Sequence, residues 1–191
     1  MCYQEYSKYT LYYFAHLSQK LTFMQSQRLS LTILDYHDNA FIMEIVNTPG
    51  WLKFIGNRNI YSALDAQLYI QNILDQPLFT YWVVRLNTDG RPIGIVSLIK
   101  RTYLDAHDLG FAFLPPYMNM GYAHEAAARV VEHLKVKQLH TKLYATTLPE
   151  NKSSIKLLSR LGFHFIETIH PQDELLHLYQ LELRKGGEVK E

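Results

Sequence analysis

The chain has 191 residues, with 19 Lys+Arg against 18 Asp+Glu, 48% hydrophobic and 13% aromatic residues, and one cysteine. The length suits one domain able to bury about 70% of its unfolded surface, and a formal charge of +1 argues against a nucleic-acid binder that neutralises phosphates. The lone Cys2 permits neither an internal disulfide nor a cysteine-rich zinc site, no stretch reaches the ~20 apolar residues of a membrane span, and no signal peptide is evident, so a cytoplasmic protein is expected.

The first 27 residues place Tyr6, Tyr9, Tyr13 and Leu17 at helical spacing, which predicts an aromatic-rich helical extension packed on the domain or across a homodimer. From Arg28 strands and helices alternate. Residues 28–34 alternate polar and apolar side chains as a strand does, and Asp38 is placed to cap a helix from Asn39 to about Val46. Thr48-Pro49-Gly50 interrupts that helix, and Ser62 to Leu74 reads as a second one. Residues 81–86 and 93–99 flank an Asn87-Thr88-Asp89-Gly90 turn as a hairpin, and residues 109–114 continue the sheet until Pro115 and Pro116 end it.

A helix from Gly121 to Lys135 carries Ala123, Ala126, Ala127, Val130, Val131 and Leu134 on one face. Residues 142–147 form a strand, and Asn151 caps a last helix that presents Ile155, Leu158 and Leu161 and stops at Gly162. Two strands, 163–169 and 177–183, close the chain. The pattern is one α+β domain over residues 28–184, preceded by the extension 1–27 and followed by a tail at 185–191.

The turn from the strand ending at Leu114 into the helix at Gly121 leaves the first helical N–H groups without intrahelical partners at the positive end of the dipole, where they can hold a phosphate group. Five segments in order then carry a resemblance: Arg28-Leu-Ser-Leu-Thr, Gly94-Ile-Val-Ser-Leu, Asp108-Leu-Gly-Phe-Ala-Phe-Leu, Met118-Asn-Met-Gly-Tyr-Ala-His-Glu-Ala and Asn151-Lys-Ser-Ser-Ile-Lys-Leu-Leu-Ser-Arg-Leu-Gly-Phe. Together they resemble the GCN5-related N-acetyltransferase (GNAT) superfamily, in particular its Rim-type ribosomal-protein N-terminal acetyltransferases. The resemblance implies a mixed, mostly antiparallel seven-stranded sheet flanked by about four helices.

It further implies that acetyl-coenzyme A is the co-substrate and lies in a V between strands 109–114 and 142–147, with its pantetheine arm against the backbone around Phe113 and Leu114. The loop Met118, Asn119, Met120, Gly121, Tyr122 and Ala123 would receive the pyrophosphate, Asn151 would hydrogen-bond the pantetheine region, and Ser154 would sit near the thioester sulfur. Met118 and Asn119 depart from the family pattern. The glycine missing at 119 demands a positive φ from an asparagine, a residue that tolerates one.

The implied reaction is direct attack by a primary amine, either a protein N-terminal α-amine or a small amine, on the thioester. A backbone N–H near Leu114 would face the oxyanion, Asp108 would accept the ammonium proton, and Ser154 would protonate the leaving thiolate. His107 is a second candidate base, because an imidazole titrates near neutral pH. Tyr103, Asp105, Trp51, Phe54 and Ile55 are candidates for acceptor contact. The altered loop motivates an alternative, a catalytically weak module that binds a coenzyme A ester or a protein. No metal is expected: His124-Glu125 begins as a zinc-protease motif does, but Ala128 stands where the second histidine would be.

Overall fold

The computed structural model describes residues 23–138 and 140–183. The aromatic extension therefore lies outside the described residues, except for its last few positions. Eight strands form one sheet: β1 (Met24–Gln25), β2 (Leu29–Ile33), β3 (Phe79–Leu86), β4 (Pro92–Lys100), β5 (His107–Phe113), β6 (Lys142–Thr147), β7 (His164–Ile169) and β8 (Leu176–Glu182), in the order β1-β2-β3-β4-β5-β6-β8-β7. All neighbours are antiparallel except β5 and β6. The eighth strand, absent from the expectation, is the two-residue β1. It pairs Met24 with Leu31 and buries Met24 in the core, so the sheet begins upstream of Arg28.

Five helices cover the sheet: α1 (Asn39–Val46), α2 (Pro49–Phe54), α3 (Ala63–Leu74), α4 (Tyr122–Lys137) and α5 (Lys152–Arg160). The extra helix is α2. Pro49 ends α1, yet with its fixed φ it suits a first helical turn, and the Thr48 side chain caps that turn by accepting from the Trp51 N–H. Asp38 does not cap α1. Asp35 and Asp38 form a capping box around a 3-10 turn at Tyr36–Asp38, and the Asp38 carboxylate is ion-paired with Arg85.

Two cores lie on the two faces of the sheet. Ala126, Ala127, Val130, Val131 and Leu134 of α4 are buried with Leu158 of α5 on one face, as the apolar spacing anticipates, each large side chain contributing about 2 kcal/mol of transfer energy. Phe41, Ile42, Ile45, Trp51, Ala66 and Ile70 of α1, α2 and α3 pack on the other. At the far edge β7 is exposed on both faces, with Phe165 and Ile166 at 50% and 40% accessibility and a register shift between Phe165 and Glu167.

Candidate active site

Strands β5 and β6 are bridged at one position, Asp108 with Tyr144, and diverge beyond it. The cause lies in the Asp108 side chain. Its Oδ1 accepts from the Thr146 N–H at 3.0 Å and its Oδ2 from the Thr146 hydroxyl at 3.2 Å. In a continuing parallel ladder the Thr146 N–H would bond a β5 carbonyl; here the carboxylate takes it and the ladder stops. The Arg101 guanidinium donates to Oδ2 through Nε at 3.0 Å.

Asp108 is thus buried, at 3% accessibility, with three of its roughly four acceptor sites engaged. Burial pushes its carboxyl above the ordinary value, against the opposing pull of Arg101 and Thr146.

Past the bridge, β5 offers backbone groups to the gap. The Gly94–Phe113 register and the Leu114 N–H to Ile93 bond of 2.9 Å show that residues 108, 110, 112 and 114 are those bonded to β4. Phe111 and Phe113 therefore turn their N–H and C=O toward the β6 side. The Leu114 N–H is itself taken up by Ile93 of the sheet, so the backbone N–H near Leu114 that faces the gap is that of Phe113. Two glycines make the local packing possible. A Cβ at Gly94 would stand 2.4 Å from the Phe113 ring, and one at Gly110 would stand 2.6 Å from the Ser97 hydroxyl.

The loop into α4 keeps the backbone shape the sequence demands. Asn119 has φ 61° and Gly121 φ 82°, both left-handed, and no side chain caps the start of α4, which leaves its first N–H groups for an anion. Arg28, which carries no role in the sequence reading, braces this loop. Its Nη1 donates to the Met120 carbonyl at 3.1 Å, its Nε donates to Glu125 at 2.7 Å, and its guanidinium lies 4.3 Å over the Tyr122 ring. Glu125 also accepts from the Ser26 hydroxyl at 2.7 Å and the Arg28 N–H at 2.8 Å. The Glu125 of the apparent zinc-protease fragment is therefore an anchor between α4 and the β1–β2 turn.

Asn151 caps α5 as expected, its Oδ1 accepting from the Ser154 N–H at 3.1 Å, which leaves the amide NH2 as its donor end. Ser154 is half-buried in the first turn of α5. Neighbouring side chains on a strand point to opposite faces, so His107 lies on the α4 side of the sheet, away from Asp108. Its ring packs edge-on to His140 at 4.7 Å. Asp105 is held by Lys142 at 2.8 Å, and Tyr103 lies close to Thr146. Trp51 is core, at 6% accessibility, while Ile55 is exposed and Phe54 half-buried.

On the α1–α3 face, the row Tyr81, Ser97 and Gly110 crosses β3, β4 and β5 toward the gap. Tyr69 of α3 packs against the same cluster as Tyr81, with Arg58 near it. Burial raises the phenol pKa values of both Tyr69 and Tyr81, keeping them neutral donors. Sequence reasoning missed this group, because its members come from four separate segments.

The model of the acetyltransferase (GNAT) domain matches residues 28–164. A curated relative described as an uncharacterized N-acetyltransferase, YnaD of Bacillus subtilis strain 168, is 25% identical over 138 residues, covering 72% of this chain and 79% of its own. The fold is shared with a GNAT-family acetyltransferase from Bacillus anthracis, with a TM-score of 0.72 at 20% identity over 85% of this chain and 99% of its own. It is shared also with RimL, a ribosomal-protein α-N-acetyltransferase in complex with coenzyme A, with a TM-score of 0.65 at 11% identity over 84% of this chain and 98% of its own. A sheet parted between β5 and β6, an uncapped helix start beside it and the family match over both place the chain in one group: it belongs to the GNAT family of acetyltransferases.

Proposed function

We propose that the protein is an acetyl-coenzyme A-dependent N-acetyltransferase of the Rim-type branch, acting in the cytoplasm on the primary amine of a peptide N-terminus or a small molecule. The observation that carries this reading is the β5–β6 gap, with the unpaired edge of Phe111 and Phe113 on one side and the left-handed loop into α4 at its end. The two fit an extended chain bearing amides and a diphosphate. Acetyl-coenzyme A supplies the activated acetyl thioester. Despite the departures at Met118 and Asn119 the turn keeps its left-handed residues, which supports this reading over a binding-only module.

The chain's own residues divide the work. The Phe111 backbone and the Phe113 C=O hold the amide-bearing arm, and the Phe113 N–H donates to the developing oxyanion. The backbone of Met120, Gly121, Tyr122 and Ala123, braced by Arg28, receives the diphosphate, and the Asn151 amide donates to the arm. Asp108 accepts the ammonium proton through its remaining lone pair, directly or through water, its raised pKa bringing it closer to working pH. Ser154 gives a proton to the departing thiolate.

Calorimetry with acetyl-coenzyme A, followed by thiol release with a panel of peptides, amino acids and polyamines, tests the reading. Binding with acceptor-dependent thiol release is expected. An absence of acetyl-coenzyme A binding overturns it.

A further inference from the structure

Four side chains around the Tyr81–Ser97–Gly110 row carry more than the transfer reaction needs. Tyr69 and Tyr81 are half-buried and pack against the same core cluster, and Arg58 lies close enough to Tyr69 to act on its phenol. Arg101 leaves the end of β4 beside them; its Nε is spent on Asp108, its side chain is 41% exposed, and both of its Nη groups remain for another acceptor. Arg58 is exposed, lies within 3.4 Å of the position of a Cβ on Gly56, and forms no ion pair among the described residues. The floor beneath them is small: Gly110 has no side chain and Ser97 only a hydroxymethyl.

The charge balance of this depression is positive. Two guanidinium groups face it, and the one carboxylate in contact with them, Asp108, has Arg101 as its counter-ion. Glu174 acts on Tyr103 and belongs to an exposed turn. A polycation such as a polyamine would find no free carboxylate here and two like charges, each a repulsion of the order of 1 kcal/mol or more near a surface. A carboxylate would find two guanidinium forks and two phenol donors.

Resting on the acetyl-transfer reading above, we infer that Arg58 and Arg101, with the hydroxyl groups of Tyr69 and Tyr81, bind a carboxylate carried by the acceptor within a few atoms of its reactive amine. Two sources present that chemistry: the α-carboxylate of a free amino acid, and the acidic side chain at the start of a peptide. In either case the anion is held on the wall formed by α3 and β3, while the amine reaches the gap over Gly110.

Acceptor pairs differing only in charge give the test: glutamate against its diamide, peptides beginning with Asp or Glu against the same peptides beginning with Asn or Gln, and spermidine. The wild-type protein should show kcat/KM at least tenfold higher for the acid member of one pair. The free amino acid preferred identifies the first source, and the acidic peptide the second.

The exposed Arg58 can be changed without disturbing Asp108. Arg58→Gln should raise KM for the acid acceptor about tenfold, and Arg58→Glu should reverse the preference toward the neutral or cationic member. Calorimetric titration of each pair into protein saturated with coenzyme A provides a readout independent of turnover, with the acid member binding more tightly. Equal kcat/KM and equal binding within every pair, or preference for spermidine, overturns the carboxylate site while leaving acetyl transfer standing. Loss of acetyl-coenzyme A binding itself is the separate failure of the transfer reading.

Discussion

The Asp108 carboxylate accepts both the N–H and the hydroxyl of Thr146, so a side chain of β5 ends the ladder that its own backbone begins with β6. One residue thereby shapes the gap, and the proposed reaction gives the same residue the proton of the amine.

Replacing Asp108 by Asn should lower kcat by about 100-fold or more if the carboxylate takes the proton, the usual size of a general-base contribution. Activity requires the ionised form, and burial raises the pKa, so the acid limb of the wild-type kcat/KM profile should lie above the ordinary carboxylate value of 3.8. The Asn variant should lack that limb. Matching pH profiles for the two proteins would assign Asp108 to shape alone.

Ser154→Ala should reduce turnover by a similar factor while leaving the Asn151 cap, which uses the Ser154 backbone N–H, in place. Thiol-release rates at saturating substrates, compared with an unchanged melting temperature, separate chemistry from folding. Full retention of turnover would remove the serine from the proposed proton path.

Gly94→Ala inserts a Cβ 2.4 Å from the Phe113 ring, well inside contact distance. Overpacking of this kind costs about 2 kcal/mol, or a fall of roughly 4–8 °C in melting temperature for a domain of this size. Because Phe113 must shift, acetyl-coenzyme A affinity should fall too, and denaturant titration with calorimetry measures both. A variant as stable as wild type would show that the ring moves freely.

Glu125→Gln removes the charge that receives Ser26 and Arg28. Burial opposes ionisation of Glu125, but the hydrogen bonds from Ser26 and Arg28 outweigh it and hold the carboxyl below its ordinary 4.5. A lowered pKa means that the stabilisation is complete above pH 4.5 and is lost as pH falls through the folded value. The variant should be less stable by about 1–2 kcal/mol at pH 7, with the difference from wild type narrowing in acid. Thermal melts across pH 3–7 would expose a failure as a difference that stays constant.

Most elements were legible because their apolar spacing was regular: the buried face of α4, the span of α3 and the Asn151 cap of α5 stand where the sequence pattern puts them. Asn119 was legible too, since a turn that needs a left-handed residue leaves few choices besides glycine. The two-residue β1 was not, because its existence depends on pairing with Leu31 and Ser30 rather than on its own sequence. That Phe113 rather than Leu114 faces the gap has the same root. Which edge of a strand an N–H faces is fixed by register with the neighbour, and no local pattern reveals it. Arg28 and Glu125 meet across 97 positions, and Asp108 finds its partners at 101 and 146, distances over which motif spacing says nothing.

The divergence of β5 from β6 leaves two strand edges unpaired in the middle of a sheet. Open edges ordinarily invite other chains to add as strands, a route to aggregation. Here the two edges face each other across a narrowing slot that closes at Asp108, and the flanking helices wall it on both sides. Facing each other across a closed-ended gap, the two edges offer less of an opening to a foreign strand than a free outer edge does.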